Sequence, residues 1–410
     1  MAKPAKCIVL FEDEAAQTLE PLSLTRPVWE LRCGITSLKE KILKTLTCTK
    51  HDFYAREYLQ ETIQHPPVRA KILADDCLWV NGALLAGENF SSATDLKPGS
   101  AWVADQRVLA FRGAQPEGWQ AGTKLQLSGF DLIEAPPQTG KLLDHPWHFV
   151  HAMNGEIVRE AKQLGSLGQN LGEVHRSTIL TNLGAIFIGT GARISAGVVI
   201  DAGSGPIVIA EGALIGANAV IEGPCYIGPK TQIKPLAHVR GSSFGEECRV
   251  GGEVSVSIIQ GFTNKQHGGF LGHSYLGSWC NLGSGTETSN LKNNYSPVKV
   301  QVGERLVDSG ELFVGLTMGD HSKTAIGSVF NTGTMVGVGC NIFGADFPPR
   351  FIPSFHWGGA EKLAQYPLHR TLEIAREVMP RRGRALTDED IKVLRWIFEH
   401  RSQSPKIEKE

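Results

Sequence analysis

Three features are scarce in this sequence of 410 residues: an excess of one charge, a long apolar run and closely spaced cysteine pairs. Lys plus Arg total 41 and Asp plus Glu total 42, so no net charge draws the chain to nucleic acid or to a membrane surface. No segment approaches the ~18 consecutive apolar residues of a transmembrane helix, and residues 7–11 read as a buried strand rather than a signal peptide. We therefore expect a soluble cytoplasmic protein without nucleic-acid or membrane partners.

Glycine is missing from the start of the chain, and the cysteines are scattered. None of the eight cysteines forms a CxxC pair, which fits reduced thiols better than a disulfide framework or a zinc site. No glycine occurs before Gly34. A glycine-rich loop, whose backbone N–H groups would cradle nucleotide phosphates, therefore cannot be assumed after the first strand.

The strongest pattern that is present is a branched or aliphatic residue at nearly every sixth position between residues 188 and 338. Its members are Ile188, Ile194, Ile200, Ile209, Ile215, Ile221, Ile227, Ile233, Val239, then Leu276, Leu282, Ile326, Thr332 and Val338. A six-residue repeat predicts a parallel β-helix, in which each hexapeptide forms one short side of a triangular coil and the repeated residue points inward. The flat faces of such a prism favour packing against further copies, so we expect a homotrimer.

The chain divides into three predicted regions: an α/β domain at 1–165, the β-helix at 170–345 and a helical arm at 346–410. The predicted strands of the first region lie at residues 8–11, 71–73 and 78–80, with a hairpin over 101–111 that turns at Asp105 and Gln106. Helical spacing covers residues 35–46 and 146–164. In the arm, helices are predicted over 361–379 and, after a capping box at Thr387, through His400.

Chemistry-bearing residues concentrate where the six-residue register blurs, between Gly261 and Tyr295. This stretch resembles the acetyltransferase half of the bifunctional enzymes that acetylate glucosamine-1-phosphate and then uridylylate it to UDP-N-acetylglucosamine. That half carries a K-x-G-H-x-x-Y-L-G element followed by N-[IV]-G-A-G-T-x-x-x-N, and the second element is matched here from Asn281 to Asn290. The resemblance spans essentially the whole chain, is strongest over 261–295, and indicates a left-handed β-helix with acetyl-CoA as co-substrate.

Two histidines compete for the role of general base that the resemblance implies. Gly272-His273-Ser-Tyr275 has the family's local spelling but is one residue short. Counting back without a gap from Asn281 selects His267, which makes Phe270 the counterpart of the sugar-contacting tyrosine and Asn281 and Asn290 substrate contacts. We take His267 as the predicted base, with His273 as the alternative, because a histidine that titrates near neutrality can remove the proton from an amino sugar's ammonium group.

Other residues carry predicted binding roles on the same resemblance. Lys234-Pro-Leu-Ala resembles the family's R-P-G-A phosphate element, although the family's later lysine pair has no match at Gly252–Ser257. The predicted substrate contacts are Lys234, Arg240, Lys265, Phe270, Tyr275, Asn281, Asn290 and Lys292. The predicted acetyl-CoA contacts are Gly315, Thr317, Lys323 and Ser328.

The start of the chain resembles a divergent branch of the same family, through Leu22-Ser-Leu-Thr-Arg26-Pro and Leu31-Arg32-Cys-Gly34. In that branch Arg26, Arg32 and Lys41, with Asn81, would contact a nucleotide such as UTP. Ala83 stands where an Asn-Gly-Asp element would supply a carboxylate for Mg²⁺, so the metal is expected only if this domain is active.

The favoured function is CoA-dependent N-acetylation of an amino-sugar phosphate, alone or combined with uridylyl transfer in nucleotide-sugar biosynthesis. Two alternatives remain open. One is a sugar-1-phosphate nucleotidyltransferase whose β-helix only oligomerises. The other is a non-catalytic assembly protein, which the missing glycine-rich loop and Ala83 favour.

Overall fold

The computed structural model describes residues 5, 7–46, 50–63 and 76–403, which form two units. The first unit contains residues up to 19, residues 25–31 and residues 36–145, and the second contains residues 20–24, 32–35 and 146 onward. The strand predicted at 71–73 lies outside the described residues. Within the described ranges, no helix is both long and apolar enough to cross a membrane.

A six-stranded mixed sheet forms the centre of the first unit. The strands of this unit are β1 (Cys7–Phe11), β2 (His51–Tyr54), β3 (Cys77–Asn81), β4 (Leu84–Ala86), β5 (Ser100–Ala104), β6 (Arg107–Gly113), β7 (Asp131–Glu134) and β8 (Gly140–Leu142). The sheet order is β2-β1-β3-β6-β5-β7, with β1 parallel to both neighbours, and β4 pairs with β8 separately. Helix α1 (Leu38–Thr45) and four 3₁₀ helices complete the unit: Glu14–Leu19, Val28–Glu30, Glu57–Thr62 and Glu88–Asp95.

The predicted hairpin and the predicted first helix of this unit are both present in the structure. The β5–β6 hairpin is confirmed, with Asp105 and Gln106 both at positive φ in its turn. The first helix begins at Leu38 rather than residue 35, because the Ser37 side chain accepts a hydrogen bond from the Glu40 N–H and forms a capping box that fixes the start.

A parallel β-solenoid with three faces makes up most of the second unit and confirms the predicted fold class. The strands of the first face are Ile186–Ile188, Ile207–Ile209, Cys225–Ile227, Ser243–Phe244, Ile258–Gly261, Tyr275–Ser278, Thr317–Met318, Met335–Val336 and Phe351–Ile352. The strands of the second face are Glu173–Val174, Arg193–Ile194, Leu214–Ile215, Gln232–Ile233, Arg249–Val250, Asn264–Lys265, Lys323–Thr324, Asn341–Ile342 and His356–Gly358. The strands of the third face are Ile179–Thr181, Val199–Asp201, Val220–Glu222, His238–Arg240, Glu253–Ser255, Phe270–Gly272, Glu287–Thr288 and Val329–Phe330.

The repeated aliphatic residues form one continuous core inside this solenoid. Ile209, Ile215 and Ile221 are inward members of three successive faces, and each is at most 1 % exposed. The prediction for Ile326 is wrong, since it is 78 % exposed and Thr324 takes the inward position instead. The register shifts because the coils differ in length and because the hairpin Lys299–Val302 and Arg305–Asp308 interrupts the stack after the third face.

Helix α2 (Pro146–Leu164) has the predicted bounds but belongs to the second unit. It packs there because its apolar face meets the solenoid, where Phe149 lies edge-on to Tyr275 and Trp147 joins a cluster with Val298. The predicted domain boundary at residue 165 therefore lies one helix later than the boundary between the units.

The C-terminal arm consists of α3 (Leu368–Val378), a 3₁₀ turn at Met379–Arg382 and α4 (Asp388–Arg401). The capping box at Thr387 is confirmed. The helix predicted from residue 361 begins at Leu368, because Leu363–Gln365 instead pairs antiparallel with His356–Gly358.

Candidate functional site

His267 lies on an exposed corner of the solenoid, between the second-face strand Asn264–Lys265 and the third-face strand Phe270–Gly272. Its backbone carbonyl accepts a hydrogen bond from Lys265 Nζ at 2.7 Å, and the Phe270 N–H donates to Glu287 Oε2 at 2.7 Å. Both ends of the corner are therefore held by side chains of the protein. The His267 imidazole itself makes no hydrogen bond to any described residue, so it faces solvent with both ring nitrogens available.

Lys265, which was predicted to contact the substrate, lies inside the solenoid. It occupies an inward position of the second face, paired with Val250, where most of the other coils carry an aliphatic side chain. Lys265 is 1 % exposed, and its ammonium group donates to the carbonyl oxygens of Gly251 at 3.0 Å and His267. Burial lowers the pKa of Lys265 to about 8, opposed by the charge of Glu287. This lysine therefore supports the His267 corner from inside the coil, and its burial argues against the predicted substrate contact.

His273 lies at the next corner, where α2 crosses the solenoid. The Asn290 amide nitrogen donates to His273 Nδ1 at 2.8 Å, and Phe313 stacks on the imidazole with 4.8 Å between ring centroids. His151 of α2 lies 6.0 Å from the same ring. His273 also has a positive φ of 46°, a conformation that is uncommon for a residue with a side chain.

The electrostatics of this second corner lower the pKa of His273. Burial, with the nearby charges of His151 and Arg240, lowers the pKa of His273 to about 4, so the ring is neutral at physiological pH. Because Nδ1 accepts from Asn290, the single proton of the neutral ring lies on Nε2. Arg240 is exposed and bonds to Ser255 Oγ at 3.2 Å.

The two histidines lie at different corners of the solenoid, at opposite ends of the strand Phe270–Gly272. Asn290 accompanies His273, whereas Asn281 bonds to Asn264 on the second face at 3.3 Å. The residues predicted to surround one substrate are therefore distributed over two corners and one face.

A column of polar side chains runs along the second face at its outward positions. Its members are Gln232, Arg249, Asn264, Asn281, Lys323 and Asn341, each paired with the next across adjacent coils. Lys234 lies beside this column, where burial and the charges of Arg249 and Arg382 lower its pKa. Arg382 of the arm donates to Asn264 Oδ1 at 2.9 Å. Sequence inspection noted Arg249 near Lys234 but missed Arg382, because only the folded arm brings Arg382 to this face.

Most of the remaining predicted contacts of the second unit are buried or hydrogen-bonded to other groups of the protein. Tyr275 is fully buried, and its hydroxyl bonds to the Arg32 carbonyl and to Gln260. A Cβ atom on Gly315 would lie 1.9 Å from the Gly272 carbonyl oxygen, so backbone packing alone requires glycine there. Thr317 and Ser328 are at most 5 % exposed. Lys292 donates to the Pro297 carbonyl, and Lys323 lines a cavity described below.

In the first unit, a polar network lies at the carboxyl ends of β1 and β3. Asp13, two residues after β1, accepts from Asn81 Nδ2 at 2.8 Å and from the Arg107 guanidinium at 2.6 Å. Arg107 also pairs with Asp144, and the two carboxylates outweigh its burial and raise its pKa. Among the predicted nucleotide contacts, Asn81 belongs to this network. Sequence inspection could have found Asp13 from its position after the first strand.

The other predicted nucleotide contacts lie elsewhere. Arg26 is partly buried and Lys41 is 4 % exposed within α1. Arg32 belongs to the second unit, where its guanidinium lies over the Tyr226 ring and bonds to the Ile35 carbonyl. Among the described residues, no three His, Cys, Asp or Glu side chains come together in a way that could hold a metal ion.

Comparisons with known proteins agree with the resemblance seen in the sequence. Residues 8–166 match the family model for sugar nucleotidyl transferases. The bifunctional protein GlmU of Methanocaldococcus jannaschii is 39% identical over 139 residues, which cover 33% of this chain and 34% of the relative. The GlmU of Picosynechococcus sp. is 32% identical over 133 residues, covering 30% of this chain and 29% of the relative. The chain is similar to the bifunctional GlmU proteins.

These GlmU alignments span about a third of the length of each relative. Among solved structures, a UDP-N-acetylglucosamine acyltransferase covers 50% of this chain and 76% of its own, with 13% identity and a TM-score of 0.27. PerB from Caulobacter crescentus, in complex with CoA and GDP-perosamine, covers 32% of this chain and 56% of its own, with 19% identity and a TM-score of 0.19. The solenoid fold is established by the strand pairing of this chain.

Proposed function

We propose that the β-solenoid transfers an acetyl group from acetyl-CoA to the amine of an amino-sugar phosphate, with His267 as the general base. The observation that carries this proposal is the His267 corner, where the structure holds the backbone on both sides and leaves the imidazole open to solvent. The gapless register with the GlmU acetyltransferase elements selects the same histidine. The names of the similar GlmU proteins support a bifunctional transferase.

The chemistry at this corner follows from the charge of the acceptor. An amino sugar is mostly ammonium at neutral pH, so its nitrogen becomes nucleophilic only after a base removes a proton. In the proposed step, a His267 ring nitrogen takes that proton, the amine attacks the thioester carbonyl, and CoA leaves as its thiol. Lys265 does not touch the substrate. It acts as a positioning residue, because its hydrogen bond to the His267 carbonyl fixes the backbone that presents the imidazole.

The decisive experiment compares CoA release from acetyl-CoA and glucosamine-1-phosphate in three variants. We expect His267→Ala to lose at least 10²-fold in kcat, the usual contribution of a general base. His273→Ala is expected to retain most of the turnover. His175→Ala is the matched control, because His175 is also exposed on the solenoid but lies on an early coil. Full activity of His267→Ala would refute the assignment, and inactivity of the parent with amino-sugar phosphates would refute the acetyltransferase function.

A second activity, sugar nucleotidyl transfer, is favoured by the family model that matches residues 8–166. The network of Asp13, Asn81 and Arg107 supports it, since it lies at the carboxyl edge of parallel strands, where α/β proteins commonly bind nucleotides. The carboxylates of this network do not fit a Mg²⁺ site as arranged, because Asp13 and Asp144 both pair with Arg107. Pyrophosphate release from UTP and N-acetylglucosamine-1-phosphate tests this activity separately from acetyl transfer.

A further inference from the structure

A cavity of 120 Å³ lies between the second face of the solenoid and the C-terminal arm, within the second unit. Its lining residues come from both sides: His321, Lys323, Gly339, Cys340 and Asn341 from the coils, and Tyr366, Thr371 and Ile374 from the arm. The cavity is slightly smaller than the ~150 Å³ space that holds benzene in an apolar core, so a molecule of about four to six non-hydrogen atoms fits.

Lys323 brings a positive charge to this cavity without a matching negative one. Its ammonium group donates to the carbonyl oxygens of Trp279 at 2.9 Å and His321 at 3.4 Å. Those bonds occupy two of its three protons. Within the part of the chain that the structure describes, no carboxylate forms an ion pair with Lys323. Lys323 is partly buried, and burial lowers its pKa. A carboxylate held beside it in the cavity would stabilise its charged form.

Thr371 provides a second, independent sign of a missing ligand. It lies in α3, is 4 % exposed and lines the cavity, and its Oγ1 makes no hydrogen bond to any described residue. Buried hydroxyl groups nearly always have a partner. The Asn341 amide lies on the coil side of the same space, while Ile374 supplies an apolar wall. The cavity therefore combines a cation and two neutral polar groups with one hydrocarbon surface.

We propose that this cavity binds a small carboxylate of two or three carbon atoms. The carboxylate oxygens would accept from the third Lys323 proton and from the Thr371 hydroxyl, and the short alkyl group would lie against Ile374. Inorganic phosphate fits less well, because one side of the space is hydrocarbon and cannot donate to a phosphate oxygen. The site does not depend on the proposed acetyltransferase activity. Lys323 pairs directly with Asn281 in the outward column, so the cavity lies beside the Asn281 coil.

The test is titration calorimetry of the full chain with sodium acetate, at constant ionic strength set with sodium chloride. For a ligand of this size we expect saturable binding with a dissociation constant of about 1 mM. Lys323→Met should weaken binding at least tenfold. Thr371→Val, which keeps the side-chain shape, should weaken it several-fold while the protein remains folded. Lys362→Met is the control, because Lys362 is exposed, does not line the cavity and should leave the affinity unchanged.

Two results would overturn the proposal. The first is acetate binding that does not saturate, or that is as tight in folded Thr371→Val as in the parent. The second is equal affinity for inorganic phosphate and acetate, which would make the site a general anion site rather than a carboxylate site. Because the readout is binding, neither result bears on the acetyltransferase activity.

Discussion

Replacing the buried Lys265 by methionine should change how the stability of the β-solenoid depends on pH. In the folded protein, burial holds the pKa of Lys265 at about 8, against 10.5 for an ordinary lysine. Between these values the unfolded chain binds more protons than the folded one, so stability rises with pH as the folded state loses its proton. A pKa difference of this size corresponds to about 3 kcal/mol, of which about 2 kcal/mol is recovered between pH 7 and pH 9.5.

Lys265→Met removes this pH dependence, because methionine fills the inward position without a charge. We therefore expect the stability of the variant, relative to the parent, to fall by about 2 kcal/mol from pH 7 to pH 9.5. Urea unfolding at both pH values, followed through the β-sheet signal in circular dichroism, measures the difference. Lys362→Met, which removes an exposed lysine, is the control, and its stability relative to the parent should stay constant. A relative stability of Lys265→Met that does not change with pH would refute the argument.

Lys265→Met should also lower the activity, apart from its effect on stability. The neutral side chain suits a core position near Val250, but it cannot donate to the Gly251 and His267 carbonyl oxygens. We expect Lys265→Met to lower kcat for acetyl transfer with little change in KM, because the corner that presents His267 loses its internal support. A chain that buries a lysine where most of its other coils bury aliphatic groups sacrifices stability, and such losses are typical of functional sites. An unchanged kcat would mean that the hydrogen bonds of Lys265 do not contribute to the activity.

Three further predictions follow from the packing. Glu12→Gln should destabilise the first unit by about 3 kcal/mol, measured by urea unfolding, because the buried Arg56 guanidinium loses its two-oxygen partner. Gly315→Ala should prevent folding of the later coils, seen as lost β-sheet signal, since its Cβ would overlap the Gly272 carbonyl oxygen. Ile221→Ala should lower the free energy of unfolding of the solenoid by about 2–5 kcal/mol, because it leaves a cavity in the core. Ile326→Ala should lower it by less than about 0.5 kcal/mol, because Ile326 is exposed.

The β-solenoid could be predicted from the sequence because its period is local and repeats. Ile209, Ile215 and Ile221 each face inward for the same reason, which is that a short strand of fixed length turns at a corner every six residues. The prediction was wrong at Ile326, where it assumed coils of equal length. Val250 and Lys265 are paired although they are fifteen residues apart, so a strict count of six loses the register there.

The sequence alone also determined α2, the β5–β6 hairpin and the capping box at Thr387, because capping, turn and periodicity rules act over a few neighbouring residues. Counting back from Asn281 in the sequence selected His267 as the predicted base. Only the tertiary structure placed Lys265 inside the coil beneath it and gave His273 the partner Asn290 and the neighbour His151. Likewise, only the folded arm brings Thr371 to Lys323. Such contacts join residues far apart in the chain, and their geometry depends on how many residues each coil contains and on where a helix packs.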